Sequence, residues 1–217
     1  MNIEQARFNM IEQQIRPWDV LDSAVLSLLA VVKREDFVPS AYRALAFVDT
    51  EVPLPGGQCM LAPKVEARLL QELGVHKHER VLEIGTGSGY MAALLAHRAQ
   101  HVTTLEIDPE LAELARTNLK RAGVLNVTVL NADGSAGHAS EGPYDVIVLS
   151  GSVAEVPTAL LAQLKVGGRL AAIVGQLPVM RAVILERSGE QGVDRRVLFD
   201  TVAPRLRGFD EPTRFHF

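Results

Sequence analysis

The sequence predicts an α/β protein: a mainly parallel, doubly wound sheet with helices on both faces, preceded by a helical N-terminal extension. Two observations carry this. From residue 76 onward, short β-branched apolar segments alternate with segments of helical periodicity, the order that gives right-handed crossovers between parallel strands. Before that point the chain shows helical periodicity and a proline-rich loop, with no series of strands.

Each element follows in order. From Ala6 to about Leu29 apolar residues recur at helical spacing, and Arg16-Pro17-Trp18-Asp19 interrupts them as a turn. Residues 49–63, DTEVPLPGGQCMLAP, carry three prolines and two adjacent glycines, which rule out a regular helix or central strand and leave a structured loop. Next, Val65, Leu69, Leu70 and Leu73 share a helical face that ends near Gly74. VLEI, VTTLEI, VTVL, DVIVL and RLAAIV then read as strands covered on both faces. Between the second and third, Leu111, Leu114, Ala115 and Leu119 form the stripe of a helix with Asp108 as cap, Pro109 in the first turn and Gly123 at the exit.

The bulk numbers limit the functional classes. A chain of 217 residues, 47% hydrophobic and 22% charged, suits one globular domain (1–217), with residues 1–75 as cap and loop and 76–217 as the α/β core. A net charge of -4 with interspersed signs argues against nucleic acid as the partner. The single cysteine, Cys59, excludes an intramolecular disulfide and suits a reducing compartment. The opening MNIEQARFNMIEQQIRPW is no secretory signal, and apolar runs such as AVLSLLAVV are too short to cross a bilayer. A monomeric cytoplasmic protein without membrane partners is expected.

The chemistry concentrates in one segment. Val81-Leu82-Glu83-Ile84-Gly85-Thr86-Gly87-Ser88-Gly89 is a strand entering a glycine turn, followed by the helical MAALLAHRA. Glycine belongs where backbone must turn with positive φ or approach a ligand closely. Glu106 follows Gly85 by 21 positions (106 minus 85) at the end of the next strand, where an acidic side chain reaches ribose hydroxyls. Ile107 adjoins it, and Asp108 reads as a helix cap. After the third strand, Asp133-Gly134 offers a carboxylate that can accept from an adenine amino group, beside permissive backbone. The spelling G-x-G-x-G departs from the dinucleotide G-x-G-x-x-G. Glu83 would repel a pyrophosphate yet tolerate an ammonium and a sulfonium, which favours S-adenosylmethionine over NAD; otherwise Glu83 is a buried acid satisfied by backbone donors. The predicted cofactor contacts are therefore Glu83, Gly85, Thr86, Gly87, Ser88, Gly89, Glu106, Ile107, Asp133 and Gly134.

These motifs resemble the class I S-adenosylmethionine-dependent methyltransferases, which are Rossmann-like, and within them the protein-L-isoaspartate O-methyltransferase family. VLEIGTGSGY, the strand ending at Glu106, ADGS and PYDVIVLSG match that family in order and spacing, and DTEVPLPGGQCMLAP resembles its substrate-side loop, D-x-x-L-P-I-G-x-G-Q-T-I-S-Q-P. The resemblance implies methylation of the α-carboxylate of L-isoaspartyl residues in damaged proteins or peptides, with S-adenosylhomocysteine as product. It places Gln58, Cys59 and Leu61 beside the acceptor. In that loop Pro55, Cys59, Leu61 and Ala62 replace the family's glycine, threonine, serine and glutamine, and Ala154 and Ile173 replace two prolines farther on. The altered loop keeps two alternatives open: a small-metabolite acceptor, or a non-catalytic S-adenosylmethionine-binding module.

Other constellations are weaker. His97 and His101 have helical ligand spacing, but His101 opens a strand, so no metal site is expected. Neither G-x-S-x-G nor G-x-x-x-x-G-K occurs. Cys59 is a nucleophile, a redox sensor or, more simply, an apolar filler. Trp18 and Arg214-Phe215-His216-Phe217 are candidates to line an acceptor pocket, with packing as the simpler role.

Overall fold

A computed structural model describes residues 2–189 and 192–211. Helix α1 (Ile3–Met10) starts at Asn2, whose side chain accepts from the Gln5 amide at 3.2 Å. It runs on through a π turn (Ile11–Ile15) and a 3-10 turn (Arg16–Trp18), and Asp19 stops it with φ +58°. Helix α2 (Ser23–Val31) is capped by Asp22. Helix α3 (Pro63–Leu73) buries Val65, Leu69, Leu70 and Leu73 and ends on left-handed Gly74, as its periodicity requires. The proline-rich loop is folded on itself: Val52–Pro53 pairs antiparallel with Cys59–Met60 around Gly56 and Gly57, both at positive φ.

The sheet contains β1 (Arg80–Ile84), β2 (His101–Glu106), β3 (Val127–Asn131), β4 (Tyr144–Val153), β5 (Leu164–Gln176), β6 (Val179–Arg187) and β7 (Val193–Thr201). Their spatial order is β3-β2-β1-β4-β5-β6-β7. The first five pair in parallel, and β6 and β7 continue the sheet antiparallel. Thus the mainly parallel sheet is present, and two strands beyond the five predicted extend its edge. The chain moves outward from β1 to β3 and returns to the other side of β1, so the topological switch point lies between β1 and β4. Ligands of such sheets bind at the carboxyl ends of the strands at this point.

Alternation along the strands builds two cores. Val81, Val102, Val146 and Val148 join the cluster that contains the N-terminal cap, α3, α4 (Tyr90–Ala96) and α5 (Pro109–Arg121). Their neighbours Leu82, Ile147 and Leu149 face the other way, with Leu160 of α6 (Thr158–Leu161) and partly buried Leu206 and Phe209. Consecutive residues therefore serve opposite faces, which is why these strands are apolar throughout. A buried ion pair between Arg7 of α1 and Glu35 ties the N-terminal helix to the segment leading into the loop. No helix among the described residues is long and apolar enough to cross a membrane.

Candidate functional site

The glycine turn joins β1 to α4 at the switch point, and it is pinned at nearly every residue. The Gly85 amide donates to Leu105 O (2.9 Å), the Thr86 hydroxyl meets that of Thr104 (2.6 Å), the Gly87 amide donates to Glu106 Oε2 (2.8 Å), and Ser88 O accepts from Asn118 Nδ2 (2.9 Å). Gly85, Gly87 and Gly89 all have positive φ. A Cβ on Gly89 would lie 3.4 Å from the backbone of Ala115, so this glycine lets α4 approach α5 rather than facing the cavity. A loop held this firmly presents its backbone to a ligand with little left to order on binding.

Three carboxyl groups stand behind or beside the loop. Glu83, on β1, is fully buried, and its two oxygens accept from Ser150 Oγ on β4 and Thr104 Oγ1 on β2, each at 2.7 Å. Side-chain hydroxyls, not backbone donors, satisfy it. Burial pushes its carboxyl up to about 7, with the nearby Glu106 charge adding to the shift and the two hydroxyls opposing it. Glu106 is 5% exposed, accepts from the Gly87 and Asp108 amides (2.8 and 3.0 Å), and faces a cavity. A carboxylate has about four lone-pair sites, so capacity remains for further donors. Glu66, on the first turn of α3, is pushed up to about 8 by burial.

Because the folded protein holds Glu83 and Glu66 with raised values, it binds more protons than the unfolded chain, and ionising them costs stability. The ligand-free protein should therefore lose this contribution as pH rises from about 4.5 through 7 for Glu83, and through about 8 for Glu66. Glu83→Gln should flatten the stability–pH curve in the lower part of that window, measured by urea denaturation at several pH values. A slope identical to that of the parent would contradict the shift.

Two adjoining cavities meet at the loop. The larger, about 50 Å³, brings together Gln58, Cys59, Gly85, Gly87, Glu106, Ile107 and Gly134. The smaller, about 20 Å³, brings together Cys59, Leu61, Glu83, Gly85, Thr86, Gly87 and Ser88. The proline-rich loop and the glycine loop thus form opposite walls of one space. Gly89 and Asp133 line neither cavity. Asp133 is exposed and accepts from the Ser135 amide at 2.9 Å, while Gly134 is packed against Ile84. Asp108 caps α5 by accepting from Glu110 and Leu111 amides, as its place before Pro109 predicts.

The structure adds residues with no sequence signal. Beyond β7 the chain returns across the site: the Ser152 amide donates to Pro204 O (2.7 Å) and the Leu206 amide to Ser152 O (2.9 Å), Leu206 and Arg207 line the larger cavity, and Arg207 Nη2 donates to Asp108 Oδ2 at 2.8 Å. A Cβ on Gly85 would come within 2.5 Å of Leu206 Cδ2, so this strap lies directly on the glycine turn. Trp18 lines neither cavity; it is 45% exposed, with Lys64 Nζ 3.9 Å above its ring. Arg214 to Phe217 lie outside the described residues.

Cys59 is half-buried, and burial together with the Glu51 charge pushes its thiol up to about 12. The thiolate is the nucleophile in cysteine chemistry, so this geometry disfavours the nucleophile and redox-sensor readings. Alkylation by iodoacetamide at pH 8 should run about 10³-fold slower than for a free thiol, whose value is near ~8.5. Labelling at the free-thiol rate would overturn this. No group of three or more His, Cys, Asp or Glu suited to a metal ion occurs among the described residues.

A parallel sheet continued by antiparallel strands, with a glycine turn and an acidic second-strand terminus at its switch point, is the architecture of the class I methyltransferases. The structure superposes on a Plasmodium falciparum chain assigned as a protein-L-isoaspartate O-methyltransferase, in complex with S-adenosyl-L-homocysteine, with a TM-score of 0.80 at 20% identity over 93% of this chain and 98% of that one. A second protein-L-isoaspartate O-methyltransferase structure gives 0.81 at 25% identity over 93% and 66%. In sequence, the family described as protein-L-isoaspartate(D-aspartate) O-methyltransferase matches residues 5–202, and the chain belongs to that family. Its relatives include the protein-L-isoaspartate O-methyltransferases of Koribacter versatilis (39% identical over 89% of this chain and 87% of the relative) and Methanoculleus marisnigri (43% over 78% and 77%).

Proposed function

We infer that this protein is an S-adenosylmethionine-dependent protein-L-isoaspartate O-methyltransferase that methylates the free carboxylate of L-isoaspartyl residues in damaged proteins. The observation that carries the reading is the meeting of the two loops: Gly85, Gly87 and Glu106 share a cavity with Gln58 and Cys59. Family membership favours it over a metabolite acceptor or a non-catalytic binding module.

The residues present fit the cofactor. The positive-φ turn brings backbone without side chains to the cavity at Gly85 and Gly87, and the buried acidic wall of Glu83 and Glu106 suits a ligand with ammonium and sulfonium charges. Glu106 would accept from the ribose, with Ile107 and Gly134 beside the base, Asp133 at its exposed edge, and Thr86, Ser88 and Gly89 shaping the turn. When bound, the cofactor supplies an electrophilic methyl group on sulfur.

The chain's task is then positioning. A carboxylate acceptor has a pKa near ~4 and is already anionic at neutral pH, so no side chain need remove a proton. Gln58 can orient the acceptor through its amide, while Leu61 and the protonated Cys59 give that wall an uncharged surface. Holding nucleophile and methyl in line in a dry site supplies most of what such a displacement needs. The absence of a hydroxyl at Leu61 is consistent with this division of labour.

The test is transfer of label from radiolabelled S-adenosylmethionine to an isoaspartyl peptide, beside its aspartyl control. Selective labelling of the first is expected; equal or absent labelling would sink the assignment. Residues 1–217 acting as one domain, a monomeric state and a cytoplasmic location complete the proposal. The first is supported by a core that runs continuously from Met10 to Ala203.

A further inference from the structure

Arg34, Glu66 and Tyr90 come from three separate elements, the 3-10 turn Arg34–Asp36, α3 and α4. They are 1%, 5% and 1% exposed. Arg34 spends its Nη atoms on the carbonyls of Leu61 (2.9 Å) and Ala46 (3.2 Å), and the Tyr90 ring is held against Phe37 at 5.5 Å. Yet Arg34 Nε, Glu66 Oε2 and the Tyr90 hydroxyl have no hydrogen-bond partner, and the first two stand 3.8 Å apart. Leaving one such buried group unsatisfied costs about 1–3 kcal/mol; these three stand together and are the unsatisfied buried side-chain atoms among the described residues, which calls for a ligand.

Glu66 and Tyr90 both line the smaller cavity, whose volume of about 20 Å³ matches one water molecule. The hydrogen-bond count fits as well. A water accepts two hydrogen bonds, from Arg34 Nε–H and Tyr90 O–H, and donates one to Glu66 Oε2. Its second hydrogen is left over.

The direction of that spare donor follows from how the two cavities connect. They share Cys59, Gly85, Gly87 and Ser150, with Glu106 and Ile107 in one and Glu66 and Tyr90 in the other. On the proposed reading, a molecule whose ribose meets Glu106 and whose chain crosses Gly85 and Gly87 ends beside Glu66 and Tyr90. The end of the methyl donor remote from its nucleoside is an amino acid, and its carboxylate accepts a water O–H.

We propose that Arg34, Glu66 and Tyr90 form a second polar subsite of the donor site, holding one water that hydrogen-bonds the amino-acid end of the methyl donor. This rests on the methyltransferase reading above. Glu66 and Tyr90 act through the water and are positioning residues.

The test compares two probes by calorimetry: S-adenosylhomocysteine, which has the amino-acid end, and 5′-methylthioadenosine, which lacks it. Tyr90→Phe and Glu66→Gln should each weaken the first about 5-fold and leave the second unchanged. Because both residues serve one water, the double variant should be little worse than the weaker-binding single one. Equal weakening of both probes, with a lowered melting temperature, would reassign the cluster to structural support and overturn the proposal; so would unchanged S-adenosylhomocysteine affinity. If Glu66→Gln fails to fold, Tyr90→Phe removes only a hydroxyl and keeps the comparison decisive. Parent protein that binds neither probe would instead sink the donor-site reading itself.

Discussion

Glu106→Ala should weaken S-adenosylmethionine binding by about 10- to 100-fold, the loss expected when hydrogen bonds to a charged group worth about 1.5–3 kcal/mol are removed. Two effects combine. The carboxylate holds the Gly87 and Asp108 amides at 2.8 and 3.0 Å, so its removal loosens the turn that forms the cradle. It is also the buried acceptor facing the larger cavity, where it would receive the ribose hydroxyls. Glu106→Gln retains the shape and one acceptor oxygen and should fall between the parent and the alanine variant. Titration calorimetry decides: affinity unchanged in Glu106→Ala would remove the ribose assignment, whatever the enzyme methylates.

The largest stability effect is expected far from the cavity. Arg7 and Glu35 are 8% and 5% exposed and pair through the guanidinium. Removing one partner from a buried ion pair leaves an uncompensated charge and costs about 3–5 kcal/mol. For a chain of this size, Arg7→Ala should lower the melting temperature by roughly 6–20 °C. The loss should also reach the site, since Arg34, next to Glu35, holds the carbonyl of Leu61 in the acceptor-side loop. Replacing both members together, as in Arg7→Met with Glu35→Leu, should restore much of the stability, because a packed apolar pair replaces the ion pair at little net cost. A drop below about 1 kcal/mol in Arg7→Ala by urea denaturation would show that Glu35 finds water or another partner.

Much of the cofactor half was legible because its constraints are local. Positive φ at Gly85 and Gly87 demands glycine, apolar runs mark strands covered on both faces, and Glu106 follows at a spacing fixed by one crossover. The antiparallel edge was less legible. In β7, Asp194, Arg195 and Arg196 are exposed, so the period-two pattern is faint, although the run Ala182 to Leu185 is a strand signal for β6. Other site residues are invisible for a different reason. Ser150, Thr104 and Leu206 acquire meaning only from what lies across the sheet, and a buried glutamate such as Glu66 looks in sequence like any exposed acid on a helix. The acceptor-side loop is intermediate: prolines and glycines announced a fixed shape, while its chemistry depends on which side chains turn inward.

The strap beyond β7 has a consequence for how the protein is made. During synthesis every strand of the sheet leaves the ribosome before Leu206 and Arg207, yet these two residues close the larger cavity and latch it to Asp108. A nascent chain can assemble its parallel core while the roof of the cofactor site is still inside the exit tunnel. Closing the larger cavity thus waits for the segment beyond β7, and a chain whose parallel strands have paired before Leu206 docks displays an uncovered glycine turn.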